Sequence, residues 1–346
     1  MKKMILVTGG TGLLGSHLLL SLVREKQEVV ALKRPSSNLE EVRRVFGYYT
    51  RSAEEREELF GRIRWIDADL TDQVEMVQVM ESIEEGLEQV YHCAGMVSFQ
   101  PRDRQKMVRF NTKSTSNVVF ACQAAGVKKL MHVSSTSAIG KPLKGSPATE
   151  NLIWSAGKSS TGYALSKFRS EMEVWRGMEE GLNAVIVNPS IILGSGFWDR
   201  GSSSMFSRVA GGLNYAAPGI TGYVGIQDVV EAMRRLMDSE ISGERFILSE
   251  GNYSYEQVFG MIGKALGKDR ELKQVSPSLL KTLTRLDAVA GLFRGSRQIT
   301  SEHIRAAFGK VYFSSEKVHA AIGMEFTPLE QVIEEVAANY RRDFPQ

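Results

Sequence analysis

The chain has 346 residues, a formal net charge of +3 and two cysteines. So small a charge, with no dense Lys/Arg block and no interleaved aromatics, excludes nucleic acid and acidic membrane surfaces as expected partners. Cys93 and Cys122 stand in no Cys-x-x-Cys or His/Cys cluster, so no metal site is expected and a reducing, cytoplasmic setting fits.

Lys2 and Lys3 precede an apolar run, as in a signal peptide, but Gly9, Gly10, Gly12 and Gly15 interrupt it, and no stretch approaches the roughly 18 apolar residues of a membrane span. The N-terminus therefore reads as mature structure. Apolar, β-branched strands are expected at residues 4–7, 28–32, 63–66, 89–93, 130–134, 183–187 and 245–248. Helix-length segments separate most of them, for example 113–125, which stops at Gly126. The longer connection at 38–61 carries a Glu/Arg run at 54–58 that reads as a solvated helix face. Strands apolar throughout, alternating with helices, predict an α/β fold with a doubly wound parallel sheet of Rossmann type. Beyond Pro189 the strand rhythm thins into Gly/Ser-rich pieces, and from Tyr253 the pattern is mainly helical. The expected organisation is a dinucleotide-binding domain over 1–188, with a return to the sheet at about 223–250. A smaller, mainly helical substrate lobe takes 189–222 and 251–346.

The first strand runs directly into Thr8-Gly9-Gly10-Thr11-Gly12-Leu13-Leu14-Gly15 and then a helix. Glycines there allow a tight turn and close approach to a pyrophosphate, which the helix N-terminal amides attract. A flexible turn is the competing reading of such a motif in isolation, but its place between strand and helix favours a dinucleotide held by Thr8, Gly9, Gly12, Leu13, Leu14 and Gly15. After the second strand, residues 29–38 contain no carboxylate to accept from an adenosine ribose, while Lys33 and Arg34 are cations suited to a 2′-phosphate. NADP is therefore expected, with Arg34 the leading contact, Lys33 the second, and NAD the alternative. After the third strand, Asp69 and Leu70 border the adenine site, although Asp69 serves equally well as a turn or cap carboxylate.

Tyr163 and Lys167 are four apart, so on a helix they share a face. A nearby ammonium would lower the phenol's pKa and let it exchange a proton with a carbonyl or alcohol. Alone, that spacing is common on exposed helices. Upstream, the fifth strand ends in Ser134-Ser135-Thr136-Ser137, which puts hydroxyls at the carboxyl edge, where ligands bind in such sheets.

Together the Thr-Gly-x-x-Gly-x-x-Gly loop, Tyr-x-x-x-Lys and the upstream serine resemble the extended branch of the short-chain dehydrogenase/reductase superfamily, over nearly the whole chain. The resemblance implies catalytic roles for Ser135 (Thr136 the fallback), Tyr163, Lys167 and Asn111, the last in a water-borne proton relay. It implies cofactor contacts at Ala94 and Gly95 after the fourth strand, at Pro189 and Ser190 after the sixth, and from Tyr163 and Lys167 themselves. Residues 223–229 resemble a later segment that ends in an acid, Asp228, before a helix. Ser114 and Gln227 depart from common family residues. The run from Ala31 to Ser37 is similar to dihydroflavonol-reductase-like and aldehyde-reductase-like members, which implies reduction of a small carbonyl by NADPH. A nucleotide-sugar epimerase or dehydratase with NAD is the alternative, though Thr136-Ser137-Ala138 lack the adjacent acids of sugar dehydratases. A non-catalytic dinucleotide sensor is the alternative of another class. Met96, Phe99, Trp154, Phe197, Trp198, Met205 and Phe206 are candidate substrate-facing residues, each equally suited to a core. Arg200 and Arg208 are available to a diphosphate. Pairing through helices that flank the sheet implies a homodimer.

Overall fold

Strand β1 (Met4–Thr8) carries the logic of the fold in three residues: Ile5, Leu6 and Val7 are all buried, Ile5 and Val7 in one apolar cluster and Leu6 in another. A strand with period two can be apolar at successive positions only if both faces are covered. The computed structural model describes residues 3–83, 86–157, 160–268, 271–275 and 307–345. It places β1 between β4 and β2, inside a seven-stranded parallel sheet of order β10-β6-β5-β4-β1-β2-β3. The other members are β2 (Glu28–Lys33), β3 (Ile63–Asp67), β4 (Gln89–His92), β5 (Lys129–Val133), β6 (Ala184–Pro189) and β10 (Glu244–Leu248). This is the expected α/β, Rossmann-like sheet.

One face packs on α1 (Leu13–Arg24), α2 (Glu40–Tyr49), α3 (Ala53–Gly61) and α8 (Ile226–Asp238), through Leu18, Leu19, Phe46, Phe60 and Met233. The other packs on α4 (Gln73–Glu81), α5 (Arg104–Ala124) and α6 (Gly162–Glu179), through Met76, Val118, Cys122 and Val174. Helix α5 begins well before the expected residue 113, because the charged stretch from Arg104 contains no stop signal and Met107 and Val108 are buried on its inner side. On the first strip of α3, Glu54, Glu57 and Glu58 are exposed, as a solvated face requires.

Beyond β6 the described residues are helical as expected, with small sheets added between the helices. A second sheet joins β7 (Ile191–Leu193) parallel to β9 (Ile220–Gly225), with β11 (Gly251–Ser254) antiparallel to β9. Short strands β8 (Tyr215–Ala216) and β12 (Lys273–Gln274) pair nearby. Around them lie α7 (Ser204–Ala210), α9 (Tyr255–Ala265), α10 (Glu316–Ile322) and α11 (Leu329–Asp343). Asp228 falls inside the first turn of α8 and accepts from Thr327 N at 3.0 Å and Thr327 Oγ1 at 2.9 Å, which fastens the approach to α11. The helical pattern expected at 276–306 lies outside the described residues. Among the described residues no helix is long and apolar enough to cross a membrane, and no group of three or more His, Cys, Asp or Glu could hold a metal.

Candidate active site

The loop between β1 and α1 is shaped for close approach. Gly9 has φ +72°, and a Cβ there would lie 2.5 Å from Ala94 N. A Cβ on Gly15 would lie 2.2 Å from Gly9 O. Gly12 donates from its N to Gly9 O at 3.0 Å and opens α1 with no side-chain cap, and the first turn from Leu13 and Leu14 holds no acid. An uncapped helix start with a side-chain-free cradle in front of it fits the pyrophosphate of a dinucleotide. Thr8 itself turns inward. Its hydroxyl accepts from Ala94 N at 3.3 Å and donates to His92 Nδ1 at 2.7 Å. His92 Nε2 then donates to Thr115 Oγ1 at 3.0 Å, whose own hydrogen goes to Asn111 O at 2.8 Å. Burial, with Lys167 adding to it, holds the His92 pKa down at about 3, so this ring is a neutral spacer between β4 and α5.

From the loop the contacts run on to the expected proton-transfer pair. Gly9 abuts Ala94, and a Cβ on Gly95 would lie 3.3 Å from Lys167 Nζ. Lys167 is buried and donates to Val133 O at 2.9 Å; burial pulls its pKa down to about 8. Helix α6 starts on Thr161, whose hydroxyl accepts from Ala164 N at 3.0 Å, and this places Tyr163 one turn before Lys167. Tyr163 is half-buried, its phenol is on the side of the Ser135 hydroxyl, and its ring lies 5.9 Å from that of Phe99. Burial pushes the phenol's pKa up and the Ser135 hydroxyl pulls against it. The ammonium of Lys167 spends one of its three N–H groups on Val133 O, and at Tyr163 burial acts against the expected lowering of the pKa.

Strand alternation sorts the serines. Ser134 faces away and donates to Glu171 Oε2 at 2.7 Å, whereas Ser135 faces Tyr163 and accepts from Ser137 N at 3.1 Å. The hydroxyl in contact is thus on Ser135, not Thr136. Asn111 is buried, accepts from Met96 N at 2.7 Å, and donates to Met96 O and Ser166 Oγ, each at 3.0 Å. Both its N–H bonds are spent clamping the loop after β4 to the start of α6.

At the adenosine edge Arg34 is exposed, while Lys33 is held by Asp67. Asp69 Oδ1 accepts from Thr71 N and Thr71 Oγ1, both at 2.8 Å, which keeps its carboxyl below the usual range and makes this oxygen a turn acceptor. Leu70 O accepts from Asn117 Nδ2 at 2.9 Å. Pro189 is buried at the end of β6, and the Ser190 hydroxyl donates back to Leu248 O at 3.1 Å. Of the substrate-facing candidates, Phe99 lies against Tyr163, and Trp154 stacks on Phe168 at 4.6 Å. Phe197, Trp198 and Phe206 are core: each is buried among residues of α9 and α11, and Trp198 Nε1 donates to Asp343 Oδ2 at 2.7 Å. Met205 packs partly buried against the same cluster, and Arg200 pairs with Asp199 at 3.1 Å.

Sequence reasoning missed one group. Glu171, buried on α6, accepts from Ser134 Oγ, from Asn188 Nδ2 at 2.9 Å, from Trp175 Nε1 at 3.3 Å and from Arg245 Nη1 at 2.7 Å. Asn188 also donates to Ser135 O at 3.0 Å, and Arg245 donates to Glu150 O and Leu152 O ahead of α6. Its signal was present in the sequence: 163, 167 and 171 continue one four-residue series on a single helix face.

A glycine cradle at the start of α1, continuous through Ala94, Gly95 and Lys167 with a Tyr163/Ser135 pair, defines a class: NAD(P)-dependent oxidoreductases of the extended short-chain dehydrogenase/reductase type. The chain belongs to the NAD dependent epimerase/dehydratase family, whose family model matches residues 5–248. It is similar to sterol demethylase protein B of Methylococcus capsulatus, at 28% identity over 81% of this chain and 80% of that protein. A Synechocystis protein with the provisional name dihydroflavonol 4-reductase is 25% identical over 94% of this chain and 91% of its own length. In fold, the chain is similar to the crystal structure of gox2253, with a TM-score of 0.79 at 24% identity over 99% of both chains.

Proposed function

We propose that the protein reduces an aldehyde or ketone to the alcohol with NADPH. The observation that carries the reading is the run of neighbours from Gly9 through Ala94 and Gly95 to Lys167, one helical turn from Tyr163, whose phenol would serve as proton donor near the carboxyl edge of β4 and β5. A dinucleotide with its pyrophosphate on the α1 loop would supply hydride to the carbonyl carbon. Ser135 donates a hydrogen bond to the carbonyl oxygen, and Tyr163 transfers its proton to that oxygen as the alcohol forms. The resulting phenolate regains a proton from solvent. Lys167 holds the nicotinamide ribose while buried against Val133 O, and Asn111 keeps Met96 and α6 in register, its Oδ1 the one polar atom left with spare capacity for a water. Arg34 takes the 2′-phosphate.

The aromatic ring of Phe99 against Tyr163 supports a small carbonyl over a charged sugar nucleotide. So do the hydroxyl and alanine side chains at 136–138, where elimination would need its own acid and base. The reductase names among its relatives support the same reading. Nicotinamide-fluorescence titrations with NADPH and NADH should give tighter binding of NADPH. A panel of aldehydes, ketones and nucleotide sugars should then oxidise it in proportion to product. Sugar conversion without net cofactor oxidation would instead mark an epimerase, and tighter NADH binding would overturn the role of Arg34.

A further inference from the structure

Residues 29–38 hold no carboxylate, yet the fold brings one to the place where β2 ends. Lys33 and Asp67 are register partners at the carboxyl ends of β2 and β3, one strand spacing or about 4.8 Å apart. Their side chains meet: Lys33 Nζ lies 2.5 Å from Asp67 Oδ1, with the lysine 18% and the aspartate 54% exposed. The neighbouring Arg34 is exposed, and its guanidinium makes no ion pair among the described residues; its backbone is engaged in a turn with Ser37. The two adjacent cations are thus not equivalent. One is free, and the other is neutralised by an acid that faces the same edge.

We propose that Asp67 is a specificity-determining residue for the adenosine end of the cofactor. It lowers the discrimination between NADP and NAD that Lys33 and Arg34 would otherwise impose. In sheets of this type an acid at the tip of β2 accepts from the ribose 2′-hydroxyl, and a base there pairs with a 2′-phosphate. Asp67 acts on both sides of that choice. It draws the charge of Lys33 away from a phosphate and repels the phosphate directly. Its second carboxylate oxygen remains an acceptor for a hydroxyl. Because the pair is partly exposed and screened, the effect is graded and not absolute. This inference rests on the dinucleotide seat proposed above and adds to it a residue two positions before Asp69.

The test is calorimetric binding of NADP⁺ and NAD⁺, which differ only in the 2′-phosphate, to the whole protein. Asp67→Asn should raise the preference for NADP⁺ by about three- to tenfold. Lys33→Met, which leaves the carboxylate unpaired, should move the ratio the other way. Arg34→Gln separates the two layers of the argument. If Arg34→Gln erodes NADP⁺ binding while Asp67→Asn leaves the ratio unchanged, the role of Asp67 is overturned and the cofactor seat stands. If the unaltered protein binds neither dinucleotide, the seat itself is wrong and both fall.

Discussion

Tyr163→Phe is expected to lower kcat by about two to four orders of magnitude while leaving the dissociation constant for NADP⁺ nearly unchanged. Phenylalanine keeps the ring against Phe99 and removes only the phenolic oxygen on the Ser135 side. The loss therefore falls on proton delivery in the transition state, not on the glycine cradle, which lies at the other end of the line of contacts through Ala94, Gly95 and Lys167. Steady-state kinetics with calorimetry of the same preparation separates the two. A variant with kcat within tenfold of the parent would remove Tyr163 from the chemistry. Equal losses in turnover and cofactor affinity would point to a displaced α6.

The second large effect is on stability. Arg245→Met leaves the buried Glu171 without its counter-charge, since Arg245 and Glu171 side chains are only 13% and 2% exposed and meet at 2.7 Å. Removing one partner of such a pair costs about 3–5 kcal/mol, mainly because the remaining charge is stranded. Ser134, Asn188 and Trp175 still donate to Glu171, which sets the expectation at the low end of that range. Urea unfolding should show a fall in midpoint at an unchanged slope. Glu171→Leu combined with Arg245→Met should recover part of the loss, because neither charge is then buried alone. A single variant within about 1 kcal/mol of the parent would mean that the pair does not brace the sheet edge.

What could be read from the residues alone follows a physical division. The seven strands of the main sheet were legible within a residue or two because burial on both faces makes the inner ones near-continuous apolar runs, as in residues 5–7 and 184–187. The Gly9–Gly15 loop and the Tyr163/Lys167 spacing were legible because their geometry is local. The second sheet was hidden because β9 begins Ile-Thr-Gly and β7 is three residues long, too little for a period to register. Phe197 and Trp198 read as pocket or core alike; only the return of α11, which brings Asp343 to Trp198, makes them core. The Lys33–Asp67 and Arg245–Glu171 pairs join residues 34 and 74 positions apart, and strand order had to be known before either could be seen. Local spacing likewise shows Lys167 beside Tyr163 but not the burial of the phenol, which raises its pKa and depends on the packing of distant segments.

The central claim is that this cleft delivers hydride and proton to one carbonyl. NADPH deuterated at the transferring position of the nicotinamide, supplied to the protein with an aromatic or aliphatic aldehyde, tests it most directly. The account requires one deuterium on the carbinol carbon for each NADP⁺ formed, with transfer in Tyr163→Phe slowed by the same factor as kcat. Product free of deuterium, or a converted substrate beside fully reduced cofactor, would contradict it.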